Sequence, residues 1–177
     1  MKFTKNKLKK KNKMKIGIVG TGNISSRHLD EFNNMPNVNV EAVCDTNQKN
    51  LEIFLSNNKN ADIRGYLSLE EMLEKEKTFD GISNTTPDRF HKETTLQILK
   101  SGYNVFCEKP LSLIPSDVKE MIKVCKNNNV LLGVGHERRF ENGWQKLIAQ
   151  NDCNNLLPKL GCKSCLRKLI AKTGCEN

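Results

Sequence analysis

KIGIVGTGNIS, residues 15–25, decides the fold. A near-continuous apolar run ends on Gly20, a second glycine follows at Gly22, and small polar residues then open a helical pattern. An apolar run without alternation is what a strand buried on both faces requires. Between a strand and a helix, Gly20 permits the tight turn and Gly22 lets backbone N–H groups approach a pyrophosphate. The helix expected over residues 23–34 adds its free N–H groups and its dipole. Thr21, Asn23 and Ile24 belong to the same turn. Ser25, at the third glycine position, is small enough for close helix–strand packing.

Outward from this turn, short apolar or β-branched runs alternate with amphipathic helical patterns as far as residue 135. Such alternation marks an α/β chain with a doubly wound parallel sheet of Rossmann type. Strands are expected at 15–20, 38–44, 62–66, 80–84, 103–107 and 130–135. Helices are expected at 23–34, 47–56 and 69–76, from Pro87 to a stop at Gly102, and from a Ser116 cap to residue 126. Ser68 and Glu71 have the spacing of a capping box. Six helix-linked strands make one nucleotide-binding unit. The expected organisation is a basic leader at 1–13, a dinucleotide-binding domain at 14–150 and a divergent Cys-rich tail at 151–177.

The net charge of +9 over 177 residues resembles a nucleic-acid footprint until it is located. Residues 1–13 hold seven Lys and no acid, and residues 151–177 hold five bases and two acids, which leaves residues 14–150 at −1. The domain body is therefore close to neutral. The Lys/Asn-rich leader reads as a solvated tail, with RNA or membrane-surface contact the alternative and Met14 a second possible start. No apolar stretch approaches the roughly 20 residues of a bilayer span, and the leader lacks the apolar core of a secretory signal. A cytoplasmic protein without nucleic-acid or membrane partners is expected. Seven Cys in such a chain read as reduced thiols, with Cys44, Cys107 and Cys125 inside apolar patterns.

Three further stretches carry chemistry. Asp45 ends the second strand, where an acid accepts hydrogen bonds from the adenosine ribose and repels a 2′-phosphate. No cation follows in Thr46-Asn47-Gln48, so NAD is favoured over NADP. Asp45 is equally placed to cap the next helix. Asn84-Thr85-Thr86-Pro87 leaves the fourth strand at the edge where open α/β sheets bind ligands. Thr85 and Thr86 offer hydroxyls, Pro87 shapes the turn, and His91 follows as either a ligand contact or a structural helix residue. Glu108-Lys109-Pro110 closes the fifth strand with a charged pair that is costly to bury without a partner. Lys109 would orient a hydroxyl, or act in its proton relay, while hydride leaves carbon. The alternative is a surface lysine in a turn. His136-Glu137-Arg138-Arg139-Phe140 follows the sixth strand and would contact an anion or a neighbouring domain.

This arrangement resembles the glucose–fructose oxidoreductase, inositol dehydrogenase and rhizopine-catabolism (Gfo/Idh/MocA) family. The resemblance is carried by KIGIVGTGNISSRHL (15–29), AVCD (42–45), YLSLEEML (66–73), FDGISNTTPDRFHKETTLQILKSGYNVFCEKPLSL (79–113) and RRF (138–140). It implies that Lys109 is the active-site lysine and that the loops around 20–24, 45, 84–91 and Glu108 hold the cofactor. It also implies a sugar, inositol or related polyol as substrate. Family members continue into a second α/β domain that forms most of the sugar pocket and supplies an Asp and a His. That catalytic domain is expected to be missing here, which leaves a chain that holds its cofactor but is inactive alone. A non-catalytic NAD-binding or regulatory protein is the rival reading.

The tail places Cys153, Cys162, Cys165 and Cys175 in a pattern with one CxxC and no second knuckle. No metal site is expected from that spacing.

Overall fold

The structure, a computed structural model, describes residues 13–58 and 62–136. The leader, residues 59–61, the Glu137–Phe140 motif and the Cys-rich tail lie outside the described residues. Six strands alternate with helices: β1 (Met14–Val19), α1 (Asn23–Asn34), β2 (Val38–Cys44), α2 (Gln48–Asn57), β3 (Arg64–Tyr66), α3 (Leu69–Lys75), β4 (Gly81–Asn84), α4 (His91–Lys100), β5 (Val105–Cys107), α5 (Pro115–Asn127) and β6 (Leu132–Val134). All pairings are parallel, in the order β3-β2-β1-β4-β5-β6. The order reverses between β1 and β4, and the crevice at such a switch point is where doubly wound sheets bind ligands.

Two apolar layers hold the helices on the sheet. On one face Leu29 of α1 and Leu51 and Phe54 of α2 pack on Ile16, Ile18 and Val43. On the other, Met72, Ile98, Leu99 and Met121 bring α3, α4 and α5 onto Ile82 and Val105. Cys44 and Cys107 belong to this second layer. Burial, followed for Cys44 by the Asp45 charge, pushes the Cys44 thiol up to about 12 and the Cys107 thiol up to about 11. Both therefore behave as small hydrophobes, because the thiolate is the reactive form.

Several expected boundaries move for local reasons. Ser116 caps nothing: α5 begins one residue earlier, at Pro115, with Ile114 in the capping position and no side-chain cap. Proline at the first helical position is preset for the helix and needs no N–H partner. Ser112 shapes this entry instead, accepting the Ile114 N–H at 3.1 Å and donating to Asp117 at 3.1 Å. Pro87 likewise opens a single 3₁₀ turn, Asp88–Phe90, before α4 starts at His91. The box at Ser68 closes on one side only. Ser68 Oγ accepts the Glu71 N–H at 3.3 Å, while the Glu71 carboxylate pairs with Lys75 at 2.6 Å.

Edge strand β3 is tied to the end of α3 by Glu76, which is 8% exposed. Its carboxylate accepts from Tyr66 Oη at 2.7 Å and from Arg64 Nη2 at 2.8 Å, and also from Arg64 Nε. The Arg64 hydrogen bonds, with a smaller contribution from Tyr66 and against the opposing effect of burial, hold this carboxyl below the usual carboxylate range.

Two outcomes are expected. Ile18 is fully buried in the central strand, so Ile18→Ala should cost about 2–5 kcal/mol in urea unfolding, as buried aliphatic truncations do. A loss below about 1 kcal/mol would place Ile18 outside the core. Because the folded Glu76 carboxyl is depressed, its contribution is fully present above its unfolded value of about 4.3 and is lost as pH falls through the folded value. Glu76→Gln should therefore flatten the acid limb of the stability profile relative to wild type. An unchanged acid limb would refute the assignment.

Candidate functional site

The carboxyl ends of β1, β2, β4 and β5 lie along one edge of the parallel sheet, where Gly20, Asp45, Thr85 and Glu108 follow them directly. Gly20 has φ +89°, in the left-handed region that side chains rarely adopt. A Cβ at Gly20 would stand 2.8 Å from Thr86 N and 2.9 Å from the Thr85 carbonyl. The turn after β1 thus rests directly on the loop after β4. Thr85 fastens this contact: its N–H donates to the Val19 carbonyl at 2.8 Å, and its hydroxyl lies 3.0 Å from that oxygen and 2.7 Å from the Gly20 carbonyl.

Gly22 is different in kind. A Cβ there would meet nothing within 4 Å, so the space over the start of α1 is open. Gly22 and Asn23 are exposed and Ile24 is half-buried. The first turn of α1 carries no acid, so its free N–H groups face that space without a competing negative charge. Ser25 is fully buried and donates to the Gly22 carbonyl, closing the turn from beneath.

Asp45, at the end of β2, braces the turn after β1. Its Oδ2 accepts both the N–H and the hydroxyl of Thr21, each at 2.8 Å, and its Oδ1 accepts the Asn47 N–H at 2.8 Å. Asn47, not Asp45, caps α2, through the Asn50 N–H. Thr21 is buried with both donors engaged, so it braces Asp45. The carboxylate keeps lone pairs for a further donor.

The loop after β4 is held by buried polar groups. Asn84 Oδ1 accepts from the Thr86 N–H at 3.2 Å and its hydroxyl at 2.7 Å, and Asn84 Nδ2 donates to Thr95 Oγ1 at 3.1 Å. Pro87 is exposed at the loop tip. His91, which the sequence leaves open between a ligand contact and a structural helix residue, is buried. Its ring is 1% exposed, with Nδ1 2.6 Å from the Pro110 carbonyl and Nε2 2.8 Å from the Thr86 carbonyl. The ring lies between the β4 loop and the segment after β5, with a backbone carbonyl facing each nitrogen; a neutral imidazole donates to one of the two.

Glu108 is partly buried, and both its oxygens are engaged. Oε1 lies 2.8 Å from His28 Nε2, and Oε2 accepts the Lys109 N–H at 3.1 Å. His28 Nδ1 is in turn 2.8 Å from Ser83 Oγ of β4. Sequence reasoning missed His28, because a lone histidine inside a helix carries no signal of the strand ends it reaches. Lys109 is exposed, and among the described residues its amine has no carboxylate within ion-pair distance. Glycine turn, acidic strand end and switch-point crevice define an NAD(P)-binding Rossmann domain.

A family model described as an oxidoreductase family with an NAD-binding Rossmann fold matches residues 14–136, and the chain belongs to that Gfo/Idh/MocA family. Myo-inositol 2-dehydrogenase of Thermotoga maritima is 30% identical over 134 residues, which cover 76% of this chain and 39% of that protein. The solved structure of myo-inositol 2-dehydrogenase from Lactobacillus plantarum superposes with a TM-score of 0.68 at 31% identity, covering 79% of this chain and 42% of that one. The WlbA dehydrogenase of Bordetella pertussis, solved with NADH and UDP-GlcNAcA, gives 0.64 at 28% identity, covering 70% and 37%. Matches to the first curated relatives span 20% to 40% of those proteins' length.

The two glycines should separate under substitution. Gly20→Ala meets backbone and an unfavourable φ, so unfolding should show a loss of about 2 kcal/mol. Gly22→Ala meets open space, so stability should fall by no more than about 1 kcal/mol. The Gly22 methyl should instead weaken nucleotide binding, read by NADH fluorescence titration. Equal stability losses, or unchanged binding in Gly22→Ala, would contradict the assignment.

Proposed function

We propose that residues 14–150 form the cofactor-binding half of an NAD-dependent sugar or polyol oxidoreductase, in which hydride passes between nicotinamide and a secondary alcohol or ketone. The observation that carries this reading is the open N-terminus of α1 at Gly22, beside the strand-order reversal between β1 and β4. The pyrophosphate would lie on the N–H groups of Gly22, Asn23 and Ile24, because a helix N-terminus offers donors and a favourable dipole together. Asp45 would accept from the adenosine ribose, held in place by Thr21. Thr85, Thr86 and Pro87 would form the wall beside the nicotinamide, fixed from behind by His91. Nicotinamide supplies the hydride chemistry. Lys109 would hold the substrate oxygen and relay its proton, while Glu108 sets the position of the lysine backbone.

NAD is favoured over NADP because a 2′-phosphate would stand against the Asp45 carboxylate with no cation in Thr46-Asn47-Gln48 to receive it. Small sugars and polyols are the proposed substrates, by extension from the inositol dehydrogenases that this chain is similar to. Positioning of substrate against the nicotinamide contributes several kcal/mol to such reactions, and the resemblance assigns that task largely to a second domain.

Titration of both cofactors into wild type and Asp45→Ala tests the reading. The 177-residue polypeptide should bind NAD more tightly than NADP by about tenfold, a difference of roughly 1.4 kcal/mol. Asp45→Ala should narrow that ratio. A wild-type preference for NADP would sink the Asp45 assignment. Turnover of inositol or glucose by this polypeptide should be negligible, and robust Lys109-dependent reduction of NAD would show that it positions substrate unaided.

A further inference from the structure

We propose that His28 is a positioning residue that keeps the Glu108 carboxylate away from the Lys109 amine. The inference rests on reading Lys109 as the working amine. Glu108 and Lys109 are adjacent in sequence, and a free carboxylate beside an ammonium at the mouth of a crevice would be expected to pair with it. Here it does not: two other donors fix the direction of the carboxylate, although each oxygen keeps a lone pair. Oε1 takes a hydrogen bond from His28 Nε2 at 2.8 Å, and Oε2 takes the Lys109 backbone N–H at 3.1 Å.

The assignment of the proton follows from the partners. A carboxylate oxygen only accepts, so Nε2 carries the hydrogen. Nδ1 faces Ser83 Oγ at 2.8 Å, and a serine hydroxyl serves as donor to a bare Nδ1. His28 is walled by Phe32, at 6.3 Å between ring centroids, and by Phe106, at 5.8 Å. The side chains of His28 and Glu108 are 12% and 16% exposed. Behind the carboxylate, a Cβ at Gly135 would stand 3.1 Å from Glu108 Oε1, so the backbone there confines it as well. The device joins three elements: the ring comes from α1, its support from β4, and its target from the end of β5. The helix that would hold the pyrophosphate thereby also sets the charge environment of the amine.

Removing the donor frees Glu108 to swing toward Lys109. An ammonium paired with a carboxylate gives up its proton less readily, and only the neutral amine attacks an acylating reagent. The experiment is trace acetylation of the free polypeptide at mildly alkaline pH, with modification at Lys109 read by peptide mass spectrometry. His28→Leu keeps the bulk but has no donor. His28→Gln keeps an N–H near the position of Nε2. Expected is a rate at Lys109 about threefold lower in His28→Leu, the size of an exposed ion pair, with His28→Gln near wild type. Added salt should restore the Leu variant by screening the new pair. His28→Leu combined with Glu108→Gln should also return to the wild-type rate, because the competing charge is gone. Circular dichroism and acetylation at Lys100, distant from the pair, control for folding.

Equal rates in wild type and His28→Leu would overturn the proposal, as would equal slowing in the Leu and Gln variants, which would mean packing alone. The nucleotide reading is judged separately, by titrating NAD and ADP-ribose into the same proteins. Absence of binding in wild type would refute that reading while the acetylation rates still decide the role of His28.

Discussion

No room exists for a methyl group between the turn after β1 and the loop after β4, and the candidate site depends on that closeness. Gly20 must have φ +89° and must lie against the Thr85–Thr86 backbone. Only glycine meets both demands without strain. The contact is possible because β1 and β4 are neighbours in the sheet, although three helices and two strands separate them in the chain. Parallel pairing brings their carboxyl ends to the same edge, and the reversal of strand order opens a crevice between them. Thr85 then converts proximity into a fixed distance by bonding Val19 and Gly20.

Polar side chains continue the same work around the crevice. Asp45 holds the β1 turn through Thr21, Asn84 holds the β4 loop through Thr86, and His91 joins that loop to the segment after β5. Each sits where an unpaired polar group would cost about 1–3 kcal/mol. Among the described residues, no buried side-chain nitrogen or oxygen lacks a partner. Such networks specify one arrangement strongly, because a partly satisfied version is costly.

Much of this is legible in the sequence itself. Strand β2 and helix α1 have the bounds that their apolar patterns predict, because burial on both faces and a 3.6-residue stripe leave strong signals. The glycine turn was readable because its neighbours are sequential. Ser116 misled because serine favours capping in general, while Pro115 one residue earlier settles where this helix begins. His91 stays open between two roles in the sequence for another reason: nothing there shows that two carbonyls from separate loops meet one ring. His28 was missed on the same ground, since its partners lie 55 and 80 residues away. Local rules fail where a side chain answers to residues brought together only by the sheet.

That failure has a pattern which bears on how a cofactor would be held. Of the side chains that the sequence offers as ligand contacts, Thr21, Thr85, His91 and Glu108 are engaged with other parts of the protein. Among the described residues, what stays open is the backbone at Gly22, Asn23 and Ile24, the spare lone pairs of Asp45 and Glu108, and the amine of Lys109. Backbone donors at a helix start lose no side-chain freedom on binding. Their loops are already fixed by the buried braces, so ordering them adds little to the cost of association. A dinucleotide would therefore meet a preformed surface, with the inward-turned polar residues acting on it through the atoms they hold in place.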